Sequence, residues 1–280
     1  DPTDTWLNRH LQYTHGYGLA MSLTAKKTAE GAPLLVARDL PPKLAGGLEV
    51  KEPAIYYGES ASDYRIVATG VKEFDYPTGD ENVYRRYTGT GGVPLDAWWK
   101  RLLFAWDQFD IGILISTYVT PRSRIQFWRP VRERVRRLAP ILKFDQDPYL
   151  AIDRGRLYWI QDAYTTSESY PYAEPYLDDY NYIRNSLKIV IDAYNGDVTF
   201  YVIEPDDPIV RTYRAALPAL FHDLKDLPDG LRRHLRYPVE LFSAQLAVYS
   251  TYHMTLPQVF YNREDVWAAP REKYGGEQID

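Results

Sequence analysis

Two stretches in the middle of the chain constrain its fold more than any others. Tyr149-Leu150-Ala151-Ile152-Asp153-Arg154-Gly155-Arg156-Leu157-Tyr158-Trp159-Ile160 reads as strand, glycine-containing turn, strand. The run from Leu187 to Ile203 repeats the pattern around Asn195-Gly196, a strong short-range hairpin signal. Two such hairpins are expected to share one antiparallel sheet. Between them, Asp162 to Asn185 is rich in tyrosine and proline and reads as a large surface excursion.

Around this centre the chain alternates strands with helices. In the first third, Leu34–Ala37, Ala54–Tyr57 and Tyr64–Ala68 are short β-rich runs punctuated by Pro41-Pro42, Gly46-Gly47, Pro53 and Gly58. Asp75 to Gly92 is expected to be a long polar loop, of the kind that is often functional or mobile. A helix follows Pro94 to about residue 110, with Trp98, Trp99, Leu102, Leu103, Trp106 and Phe109 as a broad apolar stripe. That stripe is read as core packing, with a membrane interface as the alternative.

A second helix is expected over 130–142, with Val131, Val135, Leu138 and Leu142 inward and Pro140 able to end it early. Asp207-Pro208 is a cap followed by a favoured first position, opening a helix to about Phe221. A short helix over Leu231–Arg236 and a longer one after Pro238 follow, the latter with Phe242, Leu246, Tyr249 and His253 on one face. Strands first and helices later predict an α+β fold. Its antiparallel sheet is built from hairpins in the first two thirds, and residues 1–280 form a single domain.

Bulk properties narrow the function classes. A chain of 280 residues can bury a sizeable core. A net charge of −5 argues against general nucleic-acid binding. No run of 18 apolar residues is present to span a bilayer. Asp1-Pro2-Thr3-Asp4 has neither the basic start nor the apolar stretch of a secretory leader. The absence of cysteine excludes disulfides, thiolate metal sites and cysteine nucleophiles, and leaves the compartment open. The 25 tyrosines and seven tryptophans exceed what a core absorbs, so many rings should lie half exposed with their polar tips wet.

Candidate chemistry begins in Trp6 to Ser22, a polar-aromatic segment with no clean period that holds His10, Tyr13, His15 and Tyr17. A five-residue spacing keeps His10 and His15 off a common helical or strand face, so they read as hydrogen-bonded structural histidines, with metal ligation as the lesser alternative. Asp75, Asp80, Glu81 and Asn82 could place hard oxygens around a divalent cation such as calcium, although short acids beside Pro77 and Gly79 are also ordinary turn chemistry.

From Arg122 to Arg137 there are seven arginines against one glutamate. With Arg132, Arg134 and Arg136 on one helix, this cluster suits an anionic envelope partner or, more simply, a solvated face. No nucleophile elbow, phosphate loop or dinucleotide fingerprint is present. Asp162, Glu168 and Glu174 could supply paired acids, but their separation is not legible here. His253 on an apolar stripe reads as a core histidine.

The opening segment resembles the start of the soluble region of a bacterial membrane-protein family known as uncharacterised protein family 0182. The resemblance runs from about Trp6 to Glu272. It is carried by Glu73-Phe74-Asp75-Tyr76-Pro77 through Tyr84, Arg132-Glu133-Arg134-Val135, Asp162-Ala163-Tyr164-Thr165-Thr166, Asn181-Tyr182-Ile183-Arg184-Asn185-Ser186, Thr251-Tyr252-His253-Met254 and Val259-Phe260-Tyr261-Asn262. It implies the excised extracytoplasmic part of an integral membrane protein, and no reaction.

The leading expectation is therefore a non-catalytic domain that binds an envelope ligand or partner through His10, Tyr13, His15, Tyr17, Asp80, Asn82, Asp162, Tyr164, Asn181 and Arg184. An envelope hydrolase or transferase is the rival. A third reading, an architectural domain docked on its own transmembrane region or on the membrane surface, predicts a large exposed apolar patch.

Overall fold

A computed structural model of the chain describes residues 5–61, 63–270, 272–274 and 277–279, so Asp1-Pro2-Thr3-Asp4 lie outside the described residues. The fold is α+β, and the two hairpins do share a sheet. Arg154 and Gly155 both take positive φ, 50° and 79°, which gives the twist a two-residue turn between antiparallel strands requires. This turn joins Tyr149–Asp153 to Arg156–Ser167. At the second turn, Asp192 Oδ1 accepts from the Tyr194 and Asn195 amides, and Gly196 sits at φ 74°. A Cβ on Gly196 would fall 2.5 Å from the Tyr57 ring, so glycine is needed there for space as well as for backbone angle.

The sheet has six strands. Arg156–Ser167 and Tyr182–Asp192 form its centre, with Val198–Val202 beyond the latter. Lys143–Phe144 and Tyr149–Asp153 pair along one side, and Phe221–Asp223 closes the other, parallel to Val198–Val202. Leu187, Ile189 and Ile191 pack into a core with Val131, Val135, Phe200, Val210 and Phe221. Val190, between them, joins Ala151, Ile160, Tyr201, Leu227 and Leu231 instead, as the period of two demands. The sheet is thus covered on both faces.

The excursion is shorter than the sequence suggests. Strand pairing runs on to Ser167 and resumes at Tyr182, so only 168–181 leaves the sheet. The polar residues that mimic a loop are buried in partnered sets, such as Thr165 with Ser186 and Asp207, and Asp162 with Lys188. The expected loop from Asp75 to Gly92 is likewise corrected: Glu73–Thr78 and Glu81–Arg85 form a hairpin around Gly79 (φ 60°) and Asp80.

The helix Val131–Leu138 ends before Pro140, and Asp207 caps Pro208–Ala216 by accepting from the Ile209 and Val210 amides at 2.8 and 3.0 Å. Phe221 leaves that expected helix for the sheet. The short C-terminal helix spans Asp229–Arg232 and not Leu231–Arg236.

Two helices contradict the expectation of buried stripes. In Trp98–Asp107 only Ala105 is buried, while Trp98 is 71%, Trp106 78% and the following Phe109 91% exposed. Ala105, Phe104 and Ile113 of the adjoining Gly112–Ile115 helix take the inward face against Leu11, Ile66 and Ile125, which leaves the tryptophans outside. In Val239–Tyr252 only Ala244 is buried. Phe242 and Tyr249 lie exposed, and His253 stacks on Trp267 at 3.9 Å and not in the core. Among the described residues no helix is long and apolar enough to cross a membrane.

Candidate functional site

The segment that opens the chain turns a corner. Asn8–Gln12 forms one wide helical turn that points His10 and Leu11 inward. The chain then extends, and Gly16–Tyr17 pairs with Ala54–Ile55. The two histidines end in separate surroundings. His10 stacks on Tyr64 at 4.2 Å and donates from Nδ1 to the Tyr64 carbonyl at 3.1 Å; burial pushes its pKa down, favouring the neutral ring. Beside it, Asp110 accepts from Tyr64 Oη (2.6 Å), Trp6 Nε1 (2.8 Å) and the Gly112 amide (2.8 Å). Burial works against that carboxylate, but these donors and His10 hold its pKa below the usual range.

His15 sits in a chain of polar contacts that runs from Glu73 to Glu52. Its Nε2 lies 3.0 Å from Asp75 Oδ1 and its Nδ1 2.9 Å from Thr14 Oγ1. The Thr14 hydroxyl donates to Glu73 Oε2 at 2.7 Å, and Tyr56 Oη donates to the same oxygen at 2.7 Å. Glu73 Oε1 accepts the Tyr87 and Ala68 amides at 3.1 and 3.3 Å. On the far side of Asp75, at 3.6 Å, Arg85 forks onto Glu52 at 2.6 and 2.7 Å. This network ties the opening segment, the 73–85 hairpin and the Tyr56–Tyr87–Tyr194 ring cluster together.

The network is sealed. The His15 and Glu73 side chains expose 0% and 1% of their surface, so neither can meet a substrate without rearrangement. Among the described residues no group of three or more His, Asp or Glu side chains is arranged to hold a metal ion. Asp80, Glu81 and Asn82 stand exposed on the hairpin tip, while Asp75 turns inward to His15, so the oxygens proposed for calcium do not converge.

A cavity of about 390 Å³ opens beside this network, lined by Tyr13, Thr14, His15, Gly16 and Ile55, by Gly58 to Ala61, and by Arg65, Arg129 and Trp159. Tyr13 and His15 therefore meet at a site, but His10, Asp80, Asn82, Asp162, Asn181 and Arg184 do not reach it. Tyr17 packs on Tyr76 at 4.7 Å, with its pKa raised to about 12 by burial and by Asp75.

Elsewhere the chosen residues are structural or scattered. Asp162 is ion-paired to Lys188 and accepts from Asn185, and burial pushes its pKa up. Tyr164 donates to Asp145, which also accepts the Glu240 amide at the start of the Val239–Tyr252 helix. Asn181 braces the excursion through Tyr170 and Ala173, and Arg184 lies exposed, 3.9 Å from Glu204. Glu168 and Glu174 are exposed, away from buried Asp162, so no acid pair forms.

The arginine cluster is largely spent on the backbone. Arg134 donates to the Gly196 carbonyl at 2.6 Å and lies over the Tyr57 ring. Arg124 holds the carbonyls of Thr90, Gly91 and Gly92, and Arg129 those of Tyr56 and Thr14. Only Arg132 and Arg136 of the chosen trio are exposed. Residues that organise the site without having been singled out are Glu73, Asp110, Arg65 and Arg129. Glu73 opens the Glu73-Phe74-Asp75-Tyr76-Pro77 stretch and Arg129 belongs to the arginine run, yet no spacing marks either as a hub.

The family model described as Uncharacterised protein family (UPF0182) matches residues 1–279. A UPF0182 protein of Sulfurovum sp. (strain NBC37-1) is 50% identical over 98% of this chain and 31% of its own length. One from Salinibacter ruber is 49% identical over 99% and 30%, and one from Pelotomaculum thermopropionicum 48% over 98% and 30%. The chain thus spans under a third of the length of these curated relatives. No solved structure matches it significantly. With half of its residues shared across its whole length, the chain belongs to the uncharacterised protein family UPF0182.

Proposed function

We propose that this chain is a non-catalytic docking domain that seats its Trp98–Tyr118 corner in the interfacial layer of a bilayer. It does so as the extracytoplasmic part of a membrane protein, the setting that the resemblance of its motifs implies. The observation that carries this reading is the exposure of that corner. Trp98, Trp99, Leu102, Leu103, Trp106, Phe109, Ile111, Ile115 and Tyr118 are each between 45% and 91% exposed. A soluble surface seldom keeps so many large apolar side chains together without something to cover them.

Tryptophan chemistry supports a bilayer interface over a dry protein contact. Trp6 and Trp159, which face inward, donate their indole N–H groups to Asp110 and to the Tyr57 carbonyl. Trp98, Trp99 and Trp106 have no such partner among the described residues. A ring that is apolar on its faces and wet at its nitrogen suits the headgroup boundary. Next to the corner, a mostly apolar cavity of about 620 Å³ lies between Trp6, Leu7, Ile111, Ile115 and Tyr118, with room for acyl methylenes.

The enzyme reading has no comparable support, because the histidine–carboxylate network that would serve it is closed to solvent.

Flotation with phosphatidylcholine vesicles tests the proposal. Wild-type protein is expected to rise with the lipid. A Trp98→Ser, Trp106→Ser, Phe109→Ser variant with an unchanged circular dichroism spectrum should stay at the bottom. If wild type stays down and sediments as a dimer that the same substitutions dissolve, the corner faces a second copy and the membrane reading is wrong.

A further inference from the structure

Another cavity, of about 280 Å³, lies between the Asn195-Gly196 turn, residues 90–93 and the Val131–Leu138 helix. None of its lining belongs to the Trp98–Tyr118 corner. Its walls are tied down by local bonds. Tyr87 Oη donates to Asn195 Oδ1 at 2.9 Å and accepts the Gly91 amide at 2.7 Å. Arg124 gathers the carbonyls of Thr90, Gly91 and Gly92. The two loops approach so closely that a Cβ on Gly91 would fall 2.1 Å from the Asn195 carbonyl oxygen, which only glycine avoids. Arg134 is held by the Gly196 carbonyl, with its guanidinium 4.6 Å from the Tyr57 ring centre. A cavity shaped in advance loses less freedom when a ligand enters.

Three polar groups of the lining are left over once these bonds are made. Asn195 Oδ1 is taken by Tyr87 and by the Thr90 amide at 3.2 Å, but Nδ2 has no partner among the described residues. Tyr57 is 0% exposed, yet its hydroxyl has no hydrogen-bond partner among them either. Burial pushes its pKa up, so it keeps its proton to donate. The exposed Asp197 carboxylate has neither a hydrogen bond nor an ion pair among the described residues. A buried hydroxyl without a partner costs stability, and a hydroxyl-bearing ligand would supply one. Arg134 and Asp197 bring opposite charges to the lining, which favours a neutral molecule over an ion of either sign.

The apolar side is aromatic. Trp128 takes φ 48°, a left-handed backbone that is unusual and costly for a bulky residue. It is 42% exposed and set edge-to-face on Phe127 at 4.8 Å, and both line the cavity. Arg137, which is not on the lining, lies over the indole at 5.2 Å. Strain of this kind persists where a side chain is held for use.

We infer that this cavity binds one ring of a neutral pyranose sugar. A pyranose has an apolar C–H face that suits Trp128 and Phe127, and a rim of hydroxyls that both donate and accept. Asp197 accepts from that rim, Asn195 Nδ2 and Tyr57 Oη donate to it, and Arg134 flanks it. The volume lies at the small end of ligand sites, fitting a single ring. The sugar site and the membrane corner share no residue, so either can fail without the other.

Saturation-transfer-difference NMR on the whole chain tests this, with methyl glucoside, methyl galactoside, methyl mannoside and N-acetylglucosamine as probes. Sorbitol, with hydroxyls but no ring, and glucuronate, with a ring and a charge, are the controls. At least one neutral pyranose should show transfer where sorbitol shows none. Tighter binding of maltose or cellobiose than of methyl glucoside would mark the end of a glycan, and equal binding a free sugar. Asp197→Ala removes an exposed group with no partner and should leave the melting temperature unchanged. It should weaken sugar binding by about tenfold, the worth of one charge-assisted hydrogen bond. Trp128→Ala should weaken it further. No transfer to any neutral pyranose, glucuronate bound in preference to methyl glucoside, or binding equal in wild type and both variants overturns the inference.

Discussion

The central sheet and the Trp98–Tyr118 corner dispose of their side chains in opposite ways. The sheet buries polar groups: Asp207 takes Thr165, Ser186 and Tyr182 hydroxyls on one oxygen and two helix amides on the other, at 1% exposure. Lys188 and Asp162 pair at 3% each beneath it. The corner exposes indoles and leucines. Buried polar groups cost stability unless they are hydrogen-bonded, and these are, so the sheet is the part that must be whole for the chain to fold. Exposed apolar groups add little to stability and gain meaning only from what covers them. On the proposed reading, stability and docking fall to different elements.

Substitutions should separate the two. Lys188→Met leaves buried Asp162 without its ion-pair partner, with only the Asn185 amide still donating to it, and should cost about 3–5 kcal/mol in a urea titration. Adding Asp162→Leu should recover most of that loss, because removing both charges also removes their desolvation. Recovery of nothing would mean the pair holds the sheet by some other route. Asp207→Ala removes a cap and leaves the Thr165 and Ser186 hydroxyls only each other, and the Tyr182 hydroxyl without its acceptor, for about 2–3 kcal/mol.

Acid gives a smaller, graded effect. Burial opposes the Asp145 and Asp207 charges, but hydrogen bonds from Tyr164 and from Thr165 and its neighbours outweigh it and hold both pKa values below the ordinary 3.8. A lowered folded pKa contributes stability that is complete above the unfolded value and lost as pH falls through the folded one. The stability gap between wild type and Asp207→Asn should thus be full at neutral pH and narrow below about pH 4. Asp162 carries the opposite sign, since burial raises its pKa and its charge weighs against folding as pH rises. At the corner, Trp106→Ser should move stability by no more than about 0.5 kcal/mol. A loss of several times that would place Trp106 in a core and break the comparison.

The sequence made the sheet legible because its hairpin turns are local: Arg154-Gly155 and Asn195-Gly196 need left-handed backbone, and their flanks pair wherever the turns form. The Asp207 cap was equally local. What stayed hidden depends on partners distant in the chain. Polar strand residues such as Asp162 and Thr165 look like loop until Lys188 and Asp207 are seen beside them. The Trp98–Phe109 stripe has the period of a buried face, and periodicity reports which residues share a side without saying what lies against it. In the same way, His15 and Tyr13 were found through composition, while Arg65 and Arg129 converge only after the 63 residues between them fold.

The most direct test of the docking account is tryptophan fluorescence in vesicles whose lipids carry bromine at shallow acyl positions. The account predicts strong quenching of the wild-type protein. It predicts that a Trp98→Phe, Trp99→Phe, Trp106→Phe variant, which retains Trp6, Trp128, Trp159 and Trp267, loses that quenching. Wild-type fluorescence untouched by bromine, or quenching equal in the two proteins, would contradict the assignment of this corner to the membrane.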